Sequence, residues 1–366
     1  MEFLVKPVIK SCESLQAFLA KWQVNETDLI ITNEYLVTPY LNGRELPCHV
    51  LYQERYGSGE PSDEMVDAML DAVRGRDINR VIAIGGGTVI DISKLFVFGG
   101  EYNCEQIFQM GAELKKTRNL IIIPTTCGTG SEVTGISIVG FKSKGTKLGL
   151  AVQALYAQEA VLIPAMLSTL PYDVFATSSI DALIHAVESY VSPKATMFSR
   201  SMGRTAIEEI LKGYMAMGTT RQLPANMTAF LEASTLAGIA FSNAGCAAVH
   251  AMSYPVGGNY HIPHGKANYM MFEAVYRAYK RLGADLSPVE KVLSDVFGYP
   301  VKEVWTQLFS LLGNIYDNQS LGQLGCNKEK CAEMAASVIR EQQRLLANNP
   351  IELSEEQIYE IYLECL

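Results

Sequence analysis

No CxxC pair occurs in this chain: its eight cysteines, Cys12, Cys48, Cys104, Cys127, Cys246, Cys326, Cys331 and Cys365, are scattered through 366 residues. That spacing excludes a zinc ribbon and a disulfide framework, and leaves reduced, mostly buried thiols as the expectation. Long apolar runs are lacking too, so no segment reaches the length of a membrane span. The opening Met-Glu-Phe-Leu-Val-Lys has neither the basic region nor the apolar stretch of a signal peptide, and a cytoplasmic location is expected. A surplus of positive charge is also missing. With a net charge of −9 the chain offers no general attraction to phosphate backbones or anionic lipid, which excludes nucleic acid and membrane as expected partners. Internal repeats and low-complexity linkers are absent. What is present, 48% hydrophobic and 19% charged residues, suits globular domains, and the length allows two of them.

The first half alternates apolar runs with amphipathic ones. Residues 28–32, 49–52, 80–84 and 119–123 read as strands, and residues 63–73 and 88–96 as helices. Strands separated by helices predict a parallel sheet with covered faces. From about residue 171 the pattern becomes helical throughout, over 174–190, 200–214, 226–242 and 331–346. The expected organisation is an α/β dinucleotide-binding domain over 1–170 and a helical metal- and substrate-binding domain over 171–366, packed directly with a cleft between them.

Two glycine-rich loops follow predicted strands. Gly85-Gly86-Gly87-Thr88, with Asp91 and Lys94 on the helix behind it, can bring backbone N–H groups and a helix start to a pyrophosphate. The bland alternative is a tight turn, and the GxGxxG fingerprint is missing, which excludes the standard Rossmann form. Thr125-Thr126-Cys127-Gly128-Thr129-Gly130-Ser131 follows the next strand and can line the phosphate and nicotinamide portions of a dinucleotide. Read alone, it is a polar loop. Asn33, just past the strand at 28–32, stands where a ribose-binding side chain belongs, or caps a loop.

Four of the chain's five histidines lie in two segments, Asp181–His185 and His250–His264. Asp181 and His185, four apart, share one helical face. On a straight helix His250 and His264 would stand about 21 Å apart, so the chain has to fold back between them. Pro255, Gly257, Gly258 and Pro263 can break the helix there. A site of three histidines and one carboxylate is the simplest account of the cluster. His261 either contacts substrate or fills the loop, and His49, in a predicted strand, is read as structural.

In their order, the motifs at 85–94, 124–134, 181–185 and 250–265 resemble those of the iron-containing, group III alcohol dehydrogenases over nearly the whole chain. Residues 31–36, 53–65 and 250–265 are similar to the branch that acts on 4-hydroxybutyrate. The resemblance implies a dehydroquinate synthase-like fold and a metal, Fe2+ with Zn2+ as the alternative, on Asp181, His185, His250 and His264. It implies NAD, with NADP as the alternative, on Gly86, Gly87, Thr88, Asp91, Thr125, Thr126, Thr134, Lys147 and Asn33. It further implies hydride transfer between 4-hydroxybutyrate and succinic semialdehyde, and a homodimer. Two positions depart from the family pattern: Asn33 stands where many members have an aspartate, and Tyr254 where many have a histidine. Tyr254 and His261 are the expected catalytic side chains, and Lys266 and Lys147 join them as candidates for the substrate carboxylate. Another alcohol or diol as substrate, a dehydroquinate-synthase-like lyase and a non-catalytic scaffold are the competing readings.

Overall fold

The computed structural model describes residues 3–41, 43, 45–99, 101–144 and 146–366. By contact the chain divides into two units, Val5–Leu170 and Pro171–Leu366, the second joined by Phe3 and Leu4. Leu4 belongs there because its N–H donates to Asn243 Oδ1 at 2.7 Å and its carbonyl accepts from Asn243 Nδ2 at 3.0 Å.

The first unit holds a parallel six-stranded sheet. Its strands are β1 (Val8–Ser11), β2 (Asp28–Thr32), β3 (His49–Tyr52), β4 (Arg80–Gly85), β5 (Asn119–Pro124) and β8 (Glu159–Leu162), in the order β1-β8-β5-β4-β2-β3. β6 (Ile136–Phe141) and β7 (Thr146–Ala151) form a separate antiparallel hairpin. Helices α1 (Leu15–Lys21), α2 (Glu34–Leu41), α3 (Asp63–Ala72), α4 (Gly87–Leu95) and α5 (Cys104–Met110) connect the strands. β2 is buried along its whole length, and so is β4 beyond Arg80, as a parallel sheet covered on both faces requires. Each fully buried Val, Leu or Ile contributes about 1.5–3 kcal/mol. Sequence pattern misses β1, β8 and the hairpin. β1 is a four-residue edge strand with Val8 and Ile9 exposed, so it lacks the apolar alternation that marks a half-buried strand.

The second unit is helical, without a strand among its described residues. Its helices begin with α6 (Tyr172–Val191), α7 (Met197–Met217), α8 (Met227–Ala244), α9 (Ala248–Tyr260) and α10 (His264–Arg281). α6 is buried almost without interruption from Ser179 to Val191, so it is the central helix of the unit. The predicted helix at 331–346 is divided in two, Lys328–Glu341 and Gln343–Leu346. The helix-breaking role expected of Pro255, Gly257 and Gly258 is not observed, because all three lie inside α9. Their cost is offset by the packed face of α9, where Ala248, Val249, Ala251, Met252 and Val256 are buried. The turn is made instead by residues 261–263: His261 adopts the left-handed conformation at φ 53°, and Pro263 caps α10. Among the described residues no helix is long and apolar enough to cross a membrane.

Candidate functional site

Within the helical unit, Asp181 and His185 sit one turn apart on α6, His250 in the first turn of α9 and His264 at the first position of α10. Their ligand atoms all lie within 4.8 Å of one another. From Asp181 Oδ1 it is 3.7 Å to His250 Nε2 and 4.0 Å to His264 Nε2, and from Oδ2 it is 3.9 Å to His185 Nδ1. These separations are too long for hydrogen bonds. They suit donors around one shared ion, since ligands each about 2.0–2.2 Å from a metal stand roughly 3–4 Å apart. His250 Nε2 is buried with no hydrogen-bond partner, an arrangement that costs free energy unless something else satisfies the nitrogen. The donor set and this orphaned nitrogen fit a divalent transition metal.

Neighbouring side chains aim the ligands. Glu188, fully buried on α6, accepts from Val249 N at 2.7 Å, and its other oxygen lies 2.6 Å from His250 Nδ1. That contact turns Nε2 of His250 toward Asp181. Burial alone would lower the His250 pKa, but the charge and hydrogen bond of Glu188 outweigh it and hold the imidazole above its usual value. Asn268 Nδ2 donates to Asp181 Oδ1 at 2.6 Å and lies 3.2 Å from His264 Nε2. Burial pushes the Asp181 carboxyl up, yet His185, His264, His250 and Asn268 together bring it below the usual carboxylate range. The His185 ring stacks between Phe241, at 4.3 Å, and His250, at 4.5 Å.

Glu188 and Asn268 belong to the candidate site and were missed by the motif reading. Both carry a signal: Glu188 continues the Asp181, His185 face by three positions, and Asn268 lies one turn beyond His264. A second grouping, Glu188, Cys246 and His250, is a poorer metal site. Both Glu188 oxygens are engaged, and burial with the nearby carboxylates raises the Cys246 thiol well above its usual pKa, keeping it neutral. The His264 side chain is 31% exposed, while those of Asp181, His185 and His250 are buried. Tyr254, one turn beyond His250, brings its ring to 5.9 Å from that of His264. His261 is exposed at the end of α9.

In the α/β unit, the two glycine-rich loops meet at the carboxyl edge of the sheet. A Cβ on Gly86 would lie 3.1 Å from Thr126 Cγ2, and one on Gly87 would lie 2.8 Å from Thr129 Cγ2, so a side chain at Gly87 would force Thr129 to shift. Gly86 caps α4 without a side-chain hydrogen bond, which leaves the first-turn N–H groups to a phosphate. Thr88 Oγ1 donates to Gly59 O at 3.2 Å, Thr125 is buried, and Thr126 is half-buried beside Gly86. These residues fit a dinucleotide.

Asp91 and Thr134 are hydrogen-bonded within the protein. Asp91 accepts from Ser131 Oγ at 2.6 Å and Ile138 N at 3.0 Å, so one oxygen holds the end of the second loop and the other holds β6. Thr134 is buried and accepts from Lys94 Nζ at 3.1 Å, and Lys94, itself fully buried, also donates to Ser131 Oγ and the Ile136 carbonyl. Lys147 is ion-paired with Glu60. Asn33 is buried at the end of β2 and donates to Gln53 and Glu54, while His49 in β3 lies 3.0 Å from Arg76 Nη1.

Both halves of the chain match models of one family: "Iron-containing alcohol dehydrogenase" over residues 10–164, and "Fe-containing alcohol dehydrogenase family, C-terminal" over residues 175–366. Among curated proteins, the chain is 41% identical to the 4-hydroxybutyrate dehydrogenase of Clostridium kluyveri over 361 residues, 97% of each chain. It is 32% identical to long-chain-alcohol dehydrogenase 1 of Geobacillus thermodenitrificans, covering 83% of this chain and 79% of that one. The fold is shared with sulfoacetaldehyde reductase from Bifidobacterium kashiwanohense in complex with NAD+, at a TM-score of 0.85 and 21% identity over 100% and 98% of the two chains. It is shared too with the iron-containing alcohol dehydrogenase of Thermococcus thioreducens, at 0.82 and 27% over 100% and 99%. With matches that run through both units and an alignment that spans nearly its full length, this chain belongs to the iron-containing alcohol dehydrogenases.

Proposed function

We propose that this chain interconverts 4-hydroxybutyrate and succinic semialdehyde, with a metal on Asp181, His185, His250 and His264 and NAD on the glycine-rich loops. The observation that carries the substrate reading is the 41% identity, over 97% of both chains, to the clostridial 4-hydroxybutyrate dehydrogenase. The meeting of the two glycine-rich loops supports a dinucleotide, and the NAD+ carried by a chain of the same fold supports NAD in particular. Bound iron, or zinc in its place, would supply Lewis acidity to the substrate oxygen, and bound NAD would supply the hydride acceptor.

The chain's own residues bind and orient. Hydrogen bonds between Glu188 and His250 and between Asn268 and Asp181 orient His250 and Asp181 for loading. The buried walls of the site leave substrate an approach from the His264 side, where Tyr254 stands. Tyr254 is the proposed substrate-contacting hydroxyl, with His261 as the second candidate and Lys266, two residues beyond His264, as a cation for the substrate carboxylate. Gly86, Gly87, Thr88, Thr125 and Thr126 line the proposed phosphate path. Asp91, Thr134 and Lys147 support it through the second loop and Glu60. A homodimer in the cytoplasm is the proposed setting, on the family resemblance.

The experiment follows oxidation of NADH or NADPH with succinic semialdehyde, beside butanal, lactaldehyde and dihydroxyacetone. Turnover fastest with the semialdehyde is expected. Good turnover of butanal and none of the semialdehyde would overturn the substrate while leaving the family unaffected.

A further inference from the structure

We propose that Glu54, delivered from the end of β3, receives the adenosine-ribose hydroxyls in place of a residue at the end of β2, and that its carboxylate selects NAD over NADP. The inference rests on the dinucleotide reading above. In a parallel α/β sheet the pyrophosphate sits at the glycine turn, and an acidic side chain at the end of the neighbouring strand accepts the ribose hydroxyls. Here the turn ends β4, the neighbour is β2 with Thr32 opposite Ile84, and the next residue is Asn33, an uncharged amide.

A carboxylate arrives from one strand further. β3 pairs with β2, Tyr52 opposite Thr32, and the chain then turns so that Glu54 folds back over the end of β2. Glu54 Oε2 accepts from Asn33 Nδ2 at 2.8 Å and Oε1 accepts from Glu34 N at 2.7 Å. The Asn33 amide is itself fixed, donating to Gln53 Oε1 at 3.1 Å. Buried Gln53 is anchored in turn by its donation to the Gly57 carbonyl at 2.9 Å. An aspartate at position 33 would set two carboxylates against each other. Asparagine replaces that repulsion with a hydrogen bond.

Glu54 remains exposed, and each oxygen keeps acceptor capacity for an O–H group. Arg55, the adjacent cation, is committed elsewhere: it pairs with Glu34 at 2.9 Å and lies over the Tyr52 ring at 4.6 Å. Among the described residues no cation forms an ion pair with Glu54. Its field reaches Tyr35, whose hydroxyl is raised above its usual pKa by burial and by Glu54. A ribose diol suits such a carboxylate, and a 2′-phosphate would meet it as a like charge.

The test is a fluorescence titration of the purified full-length protein with NADH and with NADPH, beside thermal denaturation. Wild type should bind NADH more tightly. Glu54→Gln should weaken NADH by about tenfold, the scale of one lost charge-assisted hydrogen bond, and leave NADPH unchanged or tighter, so that the preference collapses. Asn33→Asp added to Glu54→Gln should restore the NADH preference by returning an acid to the end of β2. Should Glu54→Gln fail to fold, Glu54→Asp serves: it keeps the charge and shortens the reach, so NADH should weaken while NADPH stays rejected. An unmoved NADH to NADPH ratio, or equal weakening of both with lowered thermal stability, would assign Glu54 a purely structural role and overturn the inference. Wild type binding neither dinucleotide would overturn the NAD reading and this inference with it.

Discussion

His250 concentrates the chemistry of the helical unit in one side chain. Its Nε2 is buried without a hydrogen bond, 3.7 Å from Asp181, while its Nδ1 lies 2.6 Å from a carboxylate that is itself fully buried. Glu188 accepts two N–H groups, from His250 and Val249, and glutamine can offer both of them an acceptor only by leaving its own amide unsatisfied. Glu188→Gln is therefore expected to lower metal affinity by roughly 10–100-fold, measured by competition with a chelator rather than by turnover. Unchanged affinity would show that His250 keeps its orientation without that carboxylate. The four proposed ligands were legible as residue types at suggestive spacings. Glu188 and Asn268 were equally visible as letters, but a Glu or Asn on a helix carries no sign of burial until the neighbouring helices are in place.

The α9–α10 hairpin carries the decisive geometry among the elements. A turn between His250 and His264 was readable because one straight helix cannot bring them together. Its place was not, since Pro255, Gly257 and Gly258 look like breakers and yet lie within α9. The turn falls at His261, in a left-handed conformation that few non-glycine residues adopt. Gly265 then settles how closely α10 approaches α6. A Cβ there would lie 2.4 Å from the Thr177 carbonyl oxygen and 3.2 Å from Asp181 Cβ, and a backbone oxygen within α6 cannot step aside. Gly265→Ala should cost about 1–3 kcal/mol in a denaturant titration, the range of an overpacked core, and should leave the protein short of metal because His264 is pushed from Asp181. Full metal occupancy in the folded variant would show that α10 can shift without moving His264.

For the molecule as a whole, stability carries an unusual pH signature. Lys116, which donates to the Tyr156 carbonyl, has its pKa lowered from 10.5 to about 8 by burial and by the nearby charge of Lys6. Below about pH 8 both folded and unfolded chains hold this proton, and the fold bears the full cost of the buried charge. Between about 8 and 10.5 the unfolded chain binds more protons than the folded one, so this group's contribution to stability rises with pH and is complete above that window. Lys116→Met should stabilise the protein at neutral pH and remove that rise. Denaturant titrations of both proteins from pH 7 to pH 10.5 check it, and parallel curves would refute the assignment.

By itself the sequence determined the α/β then helical order, the two glycine-rich loops and the metal-ligand types, because these depend on local periodicity, on glycine's missing side chain and on the chemistry of His and Asp. It determined the family as well, since the motifs occur in order along nearly the whole chain. Only tertiary structure decided that β1 and β8 complete the sheet, that Asp91 and Lys94 organise a loop, and that Glu188 aims His250. The same holds for Glu54, which reaches the end of β2 from the next strand. Each of these rests on contact between residues distant in the chain, and burial and pairing across such distances are consequences of packing that no short window of sequence contains.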